Sequence, residues 1–197
     1  MQVPQSRALG HSESPFDALF ERIAQDLIKH GYSVQKHAIP IELTNILQYH
    51  LMNMPEYKFT EASIGRQQNQ QQNEKVRNDE IAWIHGDSPA GALWLQWTQA
   101  LQVYLNRRLF LGLFSFESHF SHYPSGAFYK KHVDAFKGQA NRRLSTVLYL
   151  NPNWQTQYGG ELVVFDEQQT EHAITKVTPN FGTLVVFLSE DFPHEVL

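Results

Sequence analysis

The sequence predicts a mainly β protein with flanking helices, an α+β domain in which a β-sandwich or barrel packs against helices from the first half of the chain. Apolar residues recur with helical spacing up to about residue 108, and short apolar or alternating runs separated by turn residues follow from Leu109 onward. Several short strands after a helical half are typical of a sheet structure with helices outside it. At 197 residues the chain is long enough for one domain with a full core.

The first half contains three predicted helices. These begin after Ser14, at Ile41 (ending at Met52) and at about Pro89 (ending at about Arg108). Ser14 is placed to cap the first helix, Pro15 suits its first position, and Gly31 ends it. Residues 1–12 are polar and unpatterned, so we predict a disordered leader followed by a single domain over 13–197.

The second half contains five predicted strands. They lie at about Leu113–Tyr123, Phe128–Val133, Leu144–Leu150, Glu161–Phe165 and Thr183–Leu188. The segment Thr60–Asp79 contains the amide-rich run Gln67–Asn73, which buries too little surface to offset the entropy of ordering, so we predict that the segment is a mobile loop.

Composition limits the classes of partner. Sixteen basic and twenty acidic residues give a formal charge of -4 without long runs of one sign, so neither nucleic acid nor an anionic membrane is an expected partner. No segment approaches the ~20 apolar residues of a membrane span, and no signal peptide is recognisable, so we expect a cytoplasmic protein. Cysteine is absent, so any metal must be bound by His, Asp or Glu.

His132 and Asp134 form the first candidate metal-binding pair. On a strand their spacing points both side chains to one face, while Val133 points away. His194, far along the chain, is the candidate third ligand from another strand. Two histidines and one carboxylate on one side of a metal leave open positions, the arrangement of ferrous oxygenases. Glu117 and His119 have the same spacing and are a competing pair, although a structural histidine is the favoured interpretation of His119.

The sequence around this pair resembles the catalytic domain of prolyl 4-hydroxylases that depend on iron(II) and 2-oxoglutarate. The likeness is to the hypoxia-sensing animal enzymes and their bacterial relatives, and it extends from about Tyr32 to the end of the chain. The segments that carry it are Arg77–Ile84, His122–Asp134, Leu148–Asn151, Gly159–Phe165 and Pro193–Val196.

This resemblance implies a double-stranded β-helix, or jelly roll of cupin-like type, with N-terminal helices outside. It implies Fe(II), 2-oxoglutarate and O2 as cofactors, associates L-ascorbate with the activity, and supplies His194 as the third ligand beside His132 and Asp134. Tyr149 would hydrogen-bond the distal carboxylate of 2-oxoglutarate, and Tyr123 would lie near its metal-chelating end. Arg77 and Asp79 would match a pair on a loop that closes over the substrate. The implied reaction is 4-hydroxylation of a prolyl residue in a protein, with a translation elongation factor as one candidate substrate.

One feature departs from the resembled family. There, an arginine on the strand after the second metal histidine binds the distal carboxylate of 2-oxoglutarate, whereas this sequence ends at Leu197. We therefore expect the last strand to be missing, the natural protein to continue, and the cosubstrate site to be incomplete here. Two alternatives stay open at this stage: a cupin-like metal-dependent hydrolase or isomerase, and a non-catalytic module that binds proline-bearing peptides. The sequence does not indicate an oligomeric state.

Overall fold

A computed structural model describes residues 14–62, 76–135 and 142–197 of the chain. The expected leader over 1–12 and the amide-rich run Gln67–Asn73 lie outside these described residues. The ends of the predicted loop Thr60–Asp79 are ordered, because Thr60–Glu61 forms a short strand and Arg77 pairs with Tyr129 in an antiparallel bridge. The helices are α1 (Asp17–His30), α2 (Ile41–Met52) and α3 (Pro89–Leu109). All three lie where the apolar spacing predicts them. Within the described ranges, none is both long and apolar enough to cross a membrane.

The ends of the helices follow local chemistry, with one correction. Gly31 ends α1 in the left-handed conformation, with φ of 77°, and its N–H donates to the carbonyl of Leu27. The prediction that Ser14 caps α1 and that Pro15 is its first residue is wrong, because the helix begins at Asp17, its cap is Phe16 and the Phe16 side chain forms no capping hydrogen bond. The Ser14 hydroxyl instead accepts from the N–H of Phe16 at 3.3 Å, so it is used in the preceding turn.

The strands form three sheets. They are β1 (Tyr32–Gln35), β2 (Thr60–Glu61), β3 (Glu80–Trp83), β4 (His119–His122), β5 (Tyr129–His132), β6 (Leu144–Leu148), β7 (Leu162–Phe165), β8 (Ala173–Val177), β9 (Leu184–Leu188) and β10 (His194–Val196). The strand orders are β1-β9-β6, β5-β10-β7-β8 and β2-β3-β4, and every pairing between these strands is antiparallel.

Strand β9 separates two cores, which is how the helices come to lie outside the β-structure. Val185 and Phe187 pack with side chains of the sheet that contains β7 and β8, forming an apolar core between two sheets. Leu184 and Val186 point the other way and pack against the three helices. Alternate residues on a strand face opposite sides, so one buried strand serves both cores. The predicted mainly β architecture with external helices is confirmed.

Some strand boundaries differ from the predicted ones. The run Leu113–Tyr123 contains a strand over His119–His122 alone, because the N–H and carbonyl of Leu113 are bonded to the Asn106 side chain of α3. Strands β3, β8 and β10 were not predicted, because each is only three to five residues long and includes charged or polar residues. Strand β6 lies at the edge of its described sheet. The expectation that a further strand is missing from this sequence stays a prediction.

Candidate metal centre

Three side chains from two strand ends converge at one point. His132 is the last residue of β5 and His194 is the first residue of β10, and the antiparallel register places them directly opposite each other. From Asp134 Oδ1, His132 Nε2 lies 3.6 Å away and His194 Nε2 lies 3.9 Å away. The three ligand atoms lie within 4.8 Å of one another. They are therefore close enough to bind a single ion.

Both imidazoles present the correct nitrogen to this point. His132 Nδ1 lies 2.8 Å from the carbonyl oxygen of Lys130, and His194 Nδ1 lies 3.0 Å from that of Phe192. A carbonyl oxygen can only accept, so each Nδ1 carries the proton and donates. Each Nε2 then keeps a free lone pair for a metal. Burial lowers the pKa of His194, which favours the neutral form that a metal requires.

The Asp134 carboxylate supplies the negative charge of the site. Burial alone would raise its pKa, but the neighbouring His132 and His194 imidazoles hold it well below its usual range, as does a hydrogen bond from Ser145. The Ser145 hydroxyl donates to Oδ2, whereas both histidine Nε2 atoms are paired with Oδ1. Ser145 Oγ is in turn 2.9 Å from Ser189 Oγ. Oδ2 is therefore held by the protein, whereas Oδ1 faces the two imidazoles and lies 3.7 Å from the Arg142 guanidinium.

The position of Asp134 corrects one step of the sequence argument. Strand β5 ends at His132, so Asp134 lies in the bend that follows and not on the strand. Its side chain still converges with His132, because Ser145 on β6 holds it from the opposite sheet. The competing residues Glu117 and His119 are both exposed, and His119 packs edge-on against Trp83. Among the described residues, they are not part of any converging group of metal-ligand type.

Tyr123 and Tyr149 line the same groove as the three candidate ligands. Tyr149 follows β6 and packs with the core between the sheets, where burial raises its pKa. Tyr123 follows β4. Its pKa is raised mainly by burial and to a smaller extent by the negative charge of Asp79. Both phenols therefore stay neutral and able to donate a hydrogen bond. The structure brings the two predicted cosubstrate residues to the groove that contains the metal centre.

Arg77 and Asp79 are also brought together, but they face inward. The Arg77 guanidinium donates to both carboxylate oxygens of Asp79, at 2.7 Å and 2.6 Å. Asp79 is 1% exposed. In this conformation the carboxylate has almost no surface through which to contact a substrate. Their predicted role in substrate binding stays a prediction.

Sequence reasoning missed three residues that support the site. Ser145 donates to Asp134 and is itself hydrogen-bonded to Ser189, and Tyr129 stacks on the His132 ring with 3.5 Å between centroids. A serine in an apolar strand is a weak signal of such a role. Tyr129 gives no signal at all, because residues three apart on a regular strand point to opposite faces.

Comparisons with known proteins agree with this geometry. The family described as the 2OG-Fe(II) oxygenase superfamily matches residues 118–197, a range that contains all three candidate ligands. The crystal structure of a Pseudomonas putida prolyl-4-hydroxylase is similar over 91% of this chain and 90% of its own, with 38% identity and a TM-score of 0.79. The chain belongs to the prolyl 4-hydroxylase family of 2OG-Fe(II) oxygenases. It is a 2-oxoglutarate-dependent dioxygenase, with Fe(II), 2-oxoglutarate and O2 as cofactors.

More distant structures share the fold of this oxygenase. A Trichoplax adhaerens prolyl hydroxylase, solved with a peptide of the hypoxia inducible factor oxygen degradation domain, has 23% identity and a TM-score of 0.78 over 94% of this chain and 87% of its own. A collagen prolyl hydroxylase of Paramecium Bursaria Chlorella virus-1, solved with 2OG, has 17% identity and a TM-score of 0.57 over 85% and 87%. The predicted double-stranded β-helix is confirmed.

Proposed function

We propose that this dioxygenase hydroxylates C4 of a prolyl residue in a protein substrate, with Fe(II) bound by His132, Asp134 and His194. The observation that carries the proposal is the convergence of two Nε2 lone pairs and one carboxylate oxygen in a groove. Two histidines and one carboxylate on one side of an ion are the ligand set of non-haem Fe(II) oxygenases. When bound, iron with 2-oxoglutarate and O2 couples decarboxylation to succinate and CO2 with oxidation of a C–H bond.

The residues of the chain have distinct tasks in this proposal. His132 and His194 bind as neutral donors, and Asp134 offsets part of the charge of the ion. Tyr149 donates a hydrogen bond to the distal carboxylate of 2-oxoglutarate, and Tyr123 orients the end nearer the metal. Phenols suit this role because they are neutral donors on stiff rings. Phe187 of the apolar core between the sheets packs edge-on against His194 and so covers one side of the site.

A protein substrate is favoured by the size of the groove and by the relatives. The groove has a volume of about 3100 Å³, several times that of a usual small-molecule pocket. The Trichoplax enzyme was solved with a peptide fragment. Arg77, which lines this groove, is proposed to contribute to substrate binding, and the buried Asp79 is proposed to assist by holding the Arg77 guanidinium in place. Among protein substrates, a translation elongation factor is the first class that we would test.

Succinate release tests the proposal directly. The protein is incubated with Fe(II), 2-oxoglutarate and a panel of proline peptides, and both succinate and the mass of the peptide are measured. The expected result is one added oxygen per succinate on a proline peptide, and none when that proline is replaced by alanine. Asp134→Ala is the inactive control. Peptide binding without succinate would indicate a binding module, and turnover independent of 2-oxoglutarate would indicate a hydrolase or isomerase.

A further inference from the structure

The buried Arg77–Asp79 ion pair lies near the candidate metal centre, and the side chain of Tyr129 lies between them. The side chains of the pair are 13% and 0% exposed. The Arg77 guanidinium carbon lies 4.3 Å from the centre of the Tyr129 ring. Burial alone would lower the pKa of Arg77, but the hydrogen bonds to Asp79 and the negative charge of that carboxylate together raise the pKa, so the guanidinium stays charged. A cation held over an aromatic face in this way is attracted to it.

The backbone fixes this arrangement. Arg77 and Tyr129 pair across an isolated antiparallel bridge. On either side of it, the N–H of Lys130 donates to the carbonyl of Val76 at 2.9 Å, and that of Asn78 donates to the carbonyl of Phe128 at 3.3 Å. The segment 76–79 is therefore attached to the start of β5, the strand that ends in His132.

A bulge in β5 connects Tyr129 to the metal ligand. His132 lies opposite His194, and Tyr129 lies opposite Val196, so four residues of β5 face three of β10. In a regular strand, residues 129 and 132 would point to opposite faces, but one extra residue reverses the alternation and brings them to the same face. The two rings accordingly stack at 3.5 Å between centroids, with 16° between their planes.

The His132 ring is thus fixed by contacts from several directions. Its Nδ1 donates to the carbonyl of Lys130, Tyr129 stacks on it, and the His194 ring lies 4.3 Å away at a 57° tilt. Without Tyr129, the ring would keep the hydrogen bond but gain freedom to rotate about it.

We propose that Arg77 and Tyr129 are positioning residues for His132: the guanidinium, oriented by Asp79, holds the Tyr129 ring, and that ring holds the imidazole in its metal-binding orientation. Neither residue contacts the metal itself. The inference rests on the proposed role of His132 as a ligand, and it gives Arg77 and Asp79 a task beyond contact with substrate. A change at residue 77 would then alter the metal centre from outside it.

Cobalt(II) binding to the metal-free protein tests the role of Tyr129. The affinity is measured by competition with a chelator, and the visible d–d absorption reports ligand geometry. Removal of outer contacts of a metal ligand typically costs 10- to 100-fold in affinity, so Tyr129→Leu should weaken Co(II) binding about tenfold and change the absorption. Tyr129→Phe keeps the ring and should bind within about twofold of the wild type. Equal affinity and equal spectra for Tyr129→Leu and the wild type would overturn the proposal.

A second pair of variants tests the link to Arg77. Arg77→Met should weaken Co(II) binding several-fold, and its effect should largely disappear when Tyr129 is already leucine, because coupled residues are not additive. Arg108→Met removes another Arg–carboxylate pair, to Glu21, far from the site and is the matched control, expected to bind Co(II) normally. Additive effects of the two changes would refute the coupling. If the wild type bound no Co(II), the proposed function itself would fail, a result distinct from normal binding by the variants.

Discussion

Replacing Ser145 with alanine should weaken metal binding by removing one hydrogen bond behind the metal centre. The Ser145 hydroxyl donates to Oδ2 of Asp134, and Ser189 holds that hydroxyl at 2.9 Å. Alanine keeps the strand and most of the volume but leaves Oδ2 without this donor. The carboxylate can then rotate, and Oδ1 is no longer directed towards the two histidines.

The size of the effect follows from the chemistry of the bond. A hydrogen bond to a charged group contributes about 1.5–3 kcal/mol. If the substitution removed all of this energy from metal binding, the affinity would fall by about one to two decades. The Asp134 side chain is 21% exposed, so water replaces part of the bond in the variant. We therefore expect the lower end, about a tenfold loss of Co(II) or Fe(II) affinity. Ser189→Ala acts one step further away and should cost less.

The chain offers a close control. Ser33 is also a buried serine, and it lies on β1, at the other edge of the sheet that contains β6. Its hydroxyl donates to Oδ2 of Asp26 on α1 at 2.7 Å. Ser33→Ala should lower the melting temperature of the metal-free protein by about as much as Ser145→Ala, but leave metal affinity unchanged. Metal affinity is measured by chelator competition under argon. Equal metal affinities for the two variants would refute the positioning role of Ser145.

Three further outcomes are expected. Asp134→Ala should abolish metal binding and succinate formation while the far-ultraviolet circular dichroism spectrum is retained. Phe187→Ala removes a fully buried ring that packs edge-on against the ring of His194, so it should cost about 3–5 kcal/mol in urea unfolding. Hydrogen bonds from Arg108 and Tyr104 lower the pKa of Glu21 in the folded protein. The stability that the Glu21 carboxylate contributes is therefore present above its pKa in the unfolded chain, and it is lost as the pH falls through the lower pKa of the folded protein. Glu21→Gln should therefore reduce stability at pH 7 and show a shallower decrease in acid, measured by thermal unfolding between pH 7 and pH 2; an unchanged acid slope would count against this interpretation.

Local patterns predicted the parts of the fold that depend on local interactions. The apolar stripe of α1 and the left-handed Gly31 that ends it are properties of a few consecutive residues. The convergence of the three candidate ligands was also predictable, because His132 and Asp134 are neighbours in sequence and the family resemblance supplied His194. Strand boundaries were less accurate, as at Leu113, where a side chain of α3 replaces a neighbouring strand as the hydrogen-bond partner. Whether the Leu113 backbone pairs with a strand or with a side chain depends on tertiary contacts, so it cannot be predicted from the residues around Leu113.

The supporting residues of the metal centre show a second limit. The stack of Tyr129 on His132 needs a bulge in β5, and the bulge is defined by the register with β10, a strand far away in sequence. Regular alternation along β5 would place Tyr129 on the face opposite His132, so the rule of alternating faces fails at this bulge. Bulges are over-represented beside active sites because they redirect a side chain. Here the redirected ring lies between a buried ion pair and a candidate metal ligand. The departure from regular strand geometry is therefore the feature that connects residue 77 to the chemistry.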